Sequence, residues 1–160
     1  MMRRLERELK LTKPLDSLEQ EAFLNVLRTS GALTHGLLRV LRPAGLSPTQ
    51  YNVLRILRGA GAEGLTCSEI SERLIGHDPD VTRLLDRMET RGLVDRHRPS
   101  EDRRVVRTAI TMDGWKVLEG LDPKIRKLHN EQLGHLGSDR LRQLVELLEL
   151  ARGADGEDPE

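Results

Sequence analysis

Residues 66–111 constrain this chain more than any other stretch: two short capped helices are followed by a hairpin bracketed with arginine. Thr66 and Glu69 have the spacing of a capping box, in which each side chain satisfies an orphan backbone N–H at a helix start. That helix is expected to end at Gly76. A second is expected to open with Asp78 as cap and Pro79 at its first position, where a missing N–H costs nothing. Gly92 closes it, because glycine tolerates the left-handed conformation that ends a helix. Two short helices joined by a tight Gly-containing turn make a helix-turn-helix. From Leu93 the period changes from helical to alternating. Val94 and Arg96 lead to a polar tip at His97, Arg98, Pro99 and Ser100. On the return, Val106, Thr108 and Ile110 share one face and Val105, Arg107 and Ala109 the other, which predicts a wing.

A helix-turn-helix with a wing implies binding to duplex DNA. In the second helix Val81, Leu84, Leu85 and Met88 form the stripe to be buried, leaving Asp80, Thr82, Arg83, Asp86 and Arg87 outside. Polar groups near the N-terminus of such a helix reach base edges in the major groove. Arg83 can donate twice to a guanine edge, and Thr82 can meet a thymine methyl or a phosphate. A solvated helix face would carry the same residue types, so the wing decides. Between residues 82 and 107 eight arginines stand against five acids, a local excess of three on a chain whose formal net charge is zero. A basic patch on a neutral protein is the footprint of phosphate binding. The expected DNA-binding residues are Ser68, Asp80, Thr82, Arg83, Arg87, Arg98, Arg103 and Arg104.

At Asp102, Arg103 and Arg104 the segment resembles the winged helix-turn-helix of the MarR (multiple antibiotic resistance regulator) family. Asp102, Arg104, Ile110, Thr111 and Gly114 match the family's wing and the helix start that follows it. Upstream matches are Leu46-Ser47-Pro48-Thr49-Gln50, the Thr82-Arg83 pair, Asp86-Arg87-Met88-Glu89 and Gly92-Leu93-Val94. The resemblance spans roughly residues 17 to 152. It implies an obligate homodimeric transcription regulator, with Arg104 entering the minor groove and Asp102 orienting it by a charge-assisted hydrogen bond. It also implies a pocket for small aromatic acids between the dimerisation helices and the winged unit. His35 and Arg39, four apart on one helix face, are the expected contacts for a small anionic or aromatic ligand, although a hydrated or interface-lining pair would look the same. Peroxide-sensing relatives carry a reactive cysteine near the start of the first helix, where this chain has none. Cys67 is expected to be a packed small residue; a thiol-responsive regulator acting through Cys67 is the alternative.

The fold class expected is mainly α, an α+β winged helix flanked by long N- and C-terminal dimerisation helices. Residues 1–14 read as a flexible charged arm and 15–152 as one domain. Within it 46–111 form the winged helix-turn-helix, and 15–42 and 112–152 the dimerisation helices. Residues 153–160 read as a disordered acidic tail. Ser17 with Gln20 and Ser47 with Gln50 mark two further helix starts, and Tyr51, Val53, Leu54 and Leu57 the face to be buried. Thr111 caps a long helix that Pro123 should kink or restart, and Gly137-Ser138 precedes a last helix from Asp139 to Arg152. Leucines on the first and last long helices exceed what one small winged core can cover, which predicts a dimer on a pseudo-palindromic operator with half-sites about one turn apart.

No apolar run is long enough to cross a bilayer, so no membrane partner is expected. A single cysteine fits a reducing cytoplasm. His35, His77, His97, His129 and His135 form no ligand spacing with one another or with Cys67, so no metal and no cofactor are expected. No catalytic order of residues supports an enzyme. A constitutive architectural DNA-binding protein without effector is the competing function.

Overall fold

The computed structural model describes residues 4–76, 80–98 and 104–153. The chain runs α1 (Arg4–Glu8), α2 (Leu18–Leu41), α3 (Pro48–Ala60), α4 (Cys67–Arg73), α5 (Val81–Thr90), β1 (Val94–His97), β2 (Arg107–Ile110), α6 (Met112–Leu133) and α7 (Gly137–Gly153). Short 3-10 turns at Arg42–Ala44 and Gly134–Leu136 join α2 to α3 and α6 to α7.

The helix starts follow local chemistry. Ser17 Oγ accepts the Gln20 N–H, and Ser47 with Gln50 and Thr66 with Glu69 close reciprocal capping boxes. Thr111 Oγ1 accepts the Gly114 N–H to begin α6. Gly114 itself is required there: a Cβ would stand 2.3 Å from the Leu93 carbonyl oxygen, so α6 can begin close against the wing only without a side chain. Each cap satisfies donors that would otherwise be orphaned, at about 1 kcal/mol apiece.

Two boundaries differ from expectation. The first helix of the motif ends at Arg73 rather than Gly76, because Leu74 already has extended backbone (φ −66°, ψ 142°). The second begins at Val81, with Asp80 as its cap: Asp80 Oδ1 accepts the Arg83 N–H at 3.1 Å. Asp80, not the expected Asp78, is the cap, because it directly precedes the buried stripe that begins at Val81. Asp78 and Pro79 lie outside the described residues. The last helix starts two residues earlier than expected, at Gly137, and α6 runs through Pro123 as a single helix without a restart.

β1 and β2 pair antiparallel with Val94 opposite Ile110 and His97 opposite Arg107. A third member joins them. Leu65 donates to and accepts from Thr108, at 2.9 and 2.8 Å, so the lead-in to α4 becomes a one-residue edge of the wing sheet. Preceding it, Gly64 takes φ +67° and leaves no room for a Cβ, which would lie 2.3 Å from the Thr108 carbonyl oxygen.

The core sits under the winged unit. Val53, Leu54, Leu57, Ile70, Leu85, Met88 and Val94 are almost wholly buried, and α6 closes the underside with Leu118, Leu121 and Ile125. Arg58 on α3 locks that closure through a two-pronged pair with Asp122 at 2.7 and 3.1 Å, and its guanidinium lies 5.8 Å from the Trp115 ring. The outer helices contrast with this. Within the segment expected as an arm, residues 4–8 are helical, with Leu5 and Glu6 buried and Glu8 paired to Arg28 of α2 at 3.1 Å. Phe23, Val26 and Leu27 on α2 are at least half exposed. So are Val145, Leu147 and Leu150 on α7, which buries no residue at all.

Candidate nucleic-acid interface

The reading face is built on α5. Its inner side places Val81, Leu84, Leu85 and Met88 in the core as the spacing predicts. That anchoring turns Thr82, Arg83, Asp86 and Arg87 outward, where all four are exposed. The face is partly self-neutralised. Asp80 Oδ2 lies 3.1 Å from Arg83 Nε, so the cap also holds Arg83 against the helix start. Arg87 Nε donates to the Arg83 carbonyl oxygen at 3.2 Å, which stretches the side chain along the helix. Thr82 Oγ1 stands 3.7 Å from Cys67 Sγ, so the thiol is half-buried against the reading helix. Ser68, exposed on the first turn of α4, donates to Glu72 at 3.2 Å.

Several arginines that the sequence counts only as patch charge turn out to be fasteners. Arg96 on β1 donates to the Thr82 carbonyl oxygen at 3.3 Å and pairs with Asp86 at 2.7 Å and, more loosely, with Glu89 at 3.7 Å. It is three-quarters buried and fixes the wing to α5. Arg107 on β2 donates to the Gly64 carbonyl oxygen at 3.0 Å and lies 3.7 Å from Glu69. The Thr66 backbone N–H, then its hydroxyl, hold the Glu69 carboxyl below the ordinary range, and Arg107 adds to this. Arg91 at the end of α5 donates to the carbonyls of Ala44 and Gly45. No sequence rule pairs these arginines, since each partner lies on another element.

Of the wing-tip residues, Arg98 and Arg104 are exposed. Asp102 and Arg103 fall outside the described residues, so the expected Asp102–Arg104 pair does too. His35 and Arg39 are brought together: both line an open groove of about 550 Å³ with Leu38, Arg42, Leu46, Ser47 and Gln50. A more enclosed cavity of about 430 Å³ lies between α2, α3, α6 and the turn after α4, with Tyr51, Arg55, Asn52 and His129 on its wall. It lies between the dimerisation helices and the winged unit, where the resemblance implies a pocket, but its lining residues were not named from sequence because they converge from four separate segments. Among the described residues no cluster of three His, Cys, Asp or Glu side chains could hold a metal ion. Nor is any helix there long and apolar enough to cross a membrane.

A family model for the MarR family matches residues 46–106, from the lead-in to α3 to the return strand of the wing. The HTH-type transcriptional repressor IacR of Pseudomonas putida is 30% identical over 132 residues, covering 82% of this chain and 78% of that protein. The chain belongs to the MarR family. Its fold agrees: the crystal structure of a MarR transcription factor from Planctomyces limnophilus is 44% identical, with a TM-score of 0.65 over 85% of this chain and 98% of that one. A mutant MarR from E. coli complexed with operator DNA is 25% identical, with a TM-score of 0.74 over 85% and 99% of the two chains. This MarR-family chain is therefore a transcription regulator that binds DNA through a winged helix-turn-helix.

Proposed function

We propose that this chain is a homodimeric repressor that reads a pseudo-palindromic operator and is released by a small anionic or aromatic ligand. The observation that carries the reading is α5 itself: a helix anchored by four buried side chains and presenting Thr82, Arg83 and Arg87 at the surface beside a basic wing. Arg83 and Thr82 take the base edges. Ser68, Arg87, Arg98 and Arg103 take phosphates, Arg104 enters the minor groove, and Asp102 orients it. Asp80 contributes as the cap that positions Arg83.

Dimerisation is supported by the apolar surface on α2 and α7. Phe23, Leu147 and Leu150 are each more than 60% exposed, and a two-fold packing of these helices would bury them together. Repression is supported by the likeness to a named repressor. Ligand control is supported by the groove at His35 and Arg39, and by the enclosed cavity where Arg55 and His129 could meet an acid and Tyr51 an aromatic ring. A ligand acts here only if it binds one dimer geometry better than the other, so it must favour the geometry that mismatches the half-sites.

Selection of bound duplexes from a random library tests the whole reading. An enriched pseudo-palindrome with a steep salt dependence is the expected result. Binding with no enriched sequence would instead support the architectural alternative.

A further inference from the structure

Arg91 caps the C-terminal end of α5, and its guanidinium reaches out of the DNA-reading helix. Nη1 donates to the Gly45 carbonyl oxygen at 2.7 Å and Nη2 to the Ala44 carbonyl oxygen at 3.1 Å. Those carbonyls finish the 3-10 turn that continues the 24-residue α2. Carbonyls at a helix end lack intrahelical partners and carry the negative end of its dipole, so a fixed cation is their matched partner. The fork matters as much as the charge. Two parallel donors on two successive carbonyls set an orientation, where one bond would leave a pivot. The chain makes space for this: Gly45 turns at φ +63° under the guanidinium, and a Cβ there would stand 3.3 Å from Nη2. The Arg96 contacts tie α5 to the wing, inside the same unit. Arg91 ties α5 to the end of α2, outside it.

We propose that Arg91 is a positioning residue for DNA recognition. It fixes the angle between the reading helix and α2, and with it the separation at which the two reading helices of a dimer meet their half-sites. The inference rests on the homodimer reading above.

The test uses the full chain and the duplex enriched by the wild type, with versions carrying one base pair more or fewer between half-sites. Affinities of wild type, Arg91→Ala and Arg91→Lys are measured at two salt concentrations, beside thermal unfolding. Arg91→Ala should bind the native spacing about tenfold more weakly, the loss expected of removing a charge-assisted hydrogen bond. Its affinity for the altered spacings should change less, so that discrimination shrinks. Arg91→Lys keeps the charge but not the fork, and should fall between the two with the wild-type salt slope. A uniform loss at every spacing with a shallower salt slope would make Arg91 a phosphate contact and overturn the proposal. A lowered Tm with spacing discrimination intact would overturn it equally, as mere stabilisation. A wild type indifferent to spacing would remove the dimer reading and the clamp with it.

Discussion

The winged unit and the outer helices are built from similar leucine-rich stripes, yet they end in opposite states. Leu54, Leu57, Ile70 and Met88 are at 0% exposure in the winged unit, whereas Leu147 and Leu150 on α7 are at 64% and 65%. The first region has a closed core, completed by Leu41 of α2 and by Leu118, Leu121 and Ile125 of α6. The second offers half of one. Helical spacing of apolar residues forecasts a stripe that will be buried, and says nothing of which chain buries it. The winged unit is thus finished within one chain with the help of α6, whereas the outer faces of α2 and α7 are not.

Substitutions on each side of that contrast should behave differently. Leu57→Ala should destabilise the fold most, by about 2–5 kcal/mol, since it opens a cavity in the closed core; urea unfolding measures it. A loss below 1 kcal/mol would mean the winged core is looser than its burial indicates. Leu147→Glu should leave the winged unit folded by circular dichroism but yield monomers in sedimentation. The resulting loss of bivalency should weaken operator binding by about 100-fold. A dimer with wild-type affinity would assign the α7 face to something other than self-association. Arg83→Ala should leave both stability and dimer intact and relax the preference at one base position by about 1–3 kcal/mol. Equal loss at all positions in the selected site would make Arg83 a phosphate contact.

The smallest effect concerns the seam between the two regions. The hydrogen bonds from Arg58, ahead of its charge, hold the Asp122 carboxyl below the ordinary aspartate range. The unfolded chain therefore takes up that proton at a higher pH than the folded one. The stabilisation is complete above the ordinary aspartate pKa and disappears as pH falls through the lowered folded value. Asp122 is about one-third exposed, so screening keeps the contribution under about 1 kcal/mol. Asp122→Asn should lower the neutral plateau of a Tm-against-pH curve by the small amount the pair supplies and leave its acid end unchanged, which flattens the limb between them. An unaltered acid limb would show that other carboxylates govern it.

What the sequence made legible was local. The caps at Ser17, Ser47, Thr66 and Thr111 involve partners three residues away, and each is found where the pattern places it. So are the buried stripes of α3 and α5. The start of α5 was misplaced even locally: Asp78 and Pro79 match the cap pattern, but it is Asp80, next to the buried Val81, that caps the helix. The partners of Arg91, Arg96 and Arg107 were illegible for a different reason. Arg91 reaches back to residues 44 and 45, and Arg107 to residues 64 and 69. Counting arginines therefore could not separate Arg91, Arg96 and Arg107, which are held by other elements, from the rest of the patch. Arg87 and Arg98 are exposed. The lining of the cavity beside Tyr51 and His129 was illegible for the same reason, as four segments must meet before it exists.

The pairing of Leu65 with Thr108 has a consequence for how the molecule comes into being. That contact closes a loop containing α4, α5 and β1, so the reading helix lies inside it rather than at either end. Closing so long a loop is slow compared with forming the helices within it. During synthesis the nascent chain can wind α4 and α5 as soon as they emerge. It cannot present them as a DNA-binding surface until residue 108 has left the ribosome and returned to residue 65. A truncated product that stops in the wing would thus carry every residue of the reading helix and still lack the seam that holds it in place.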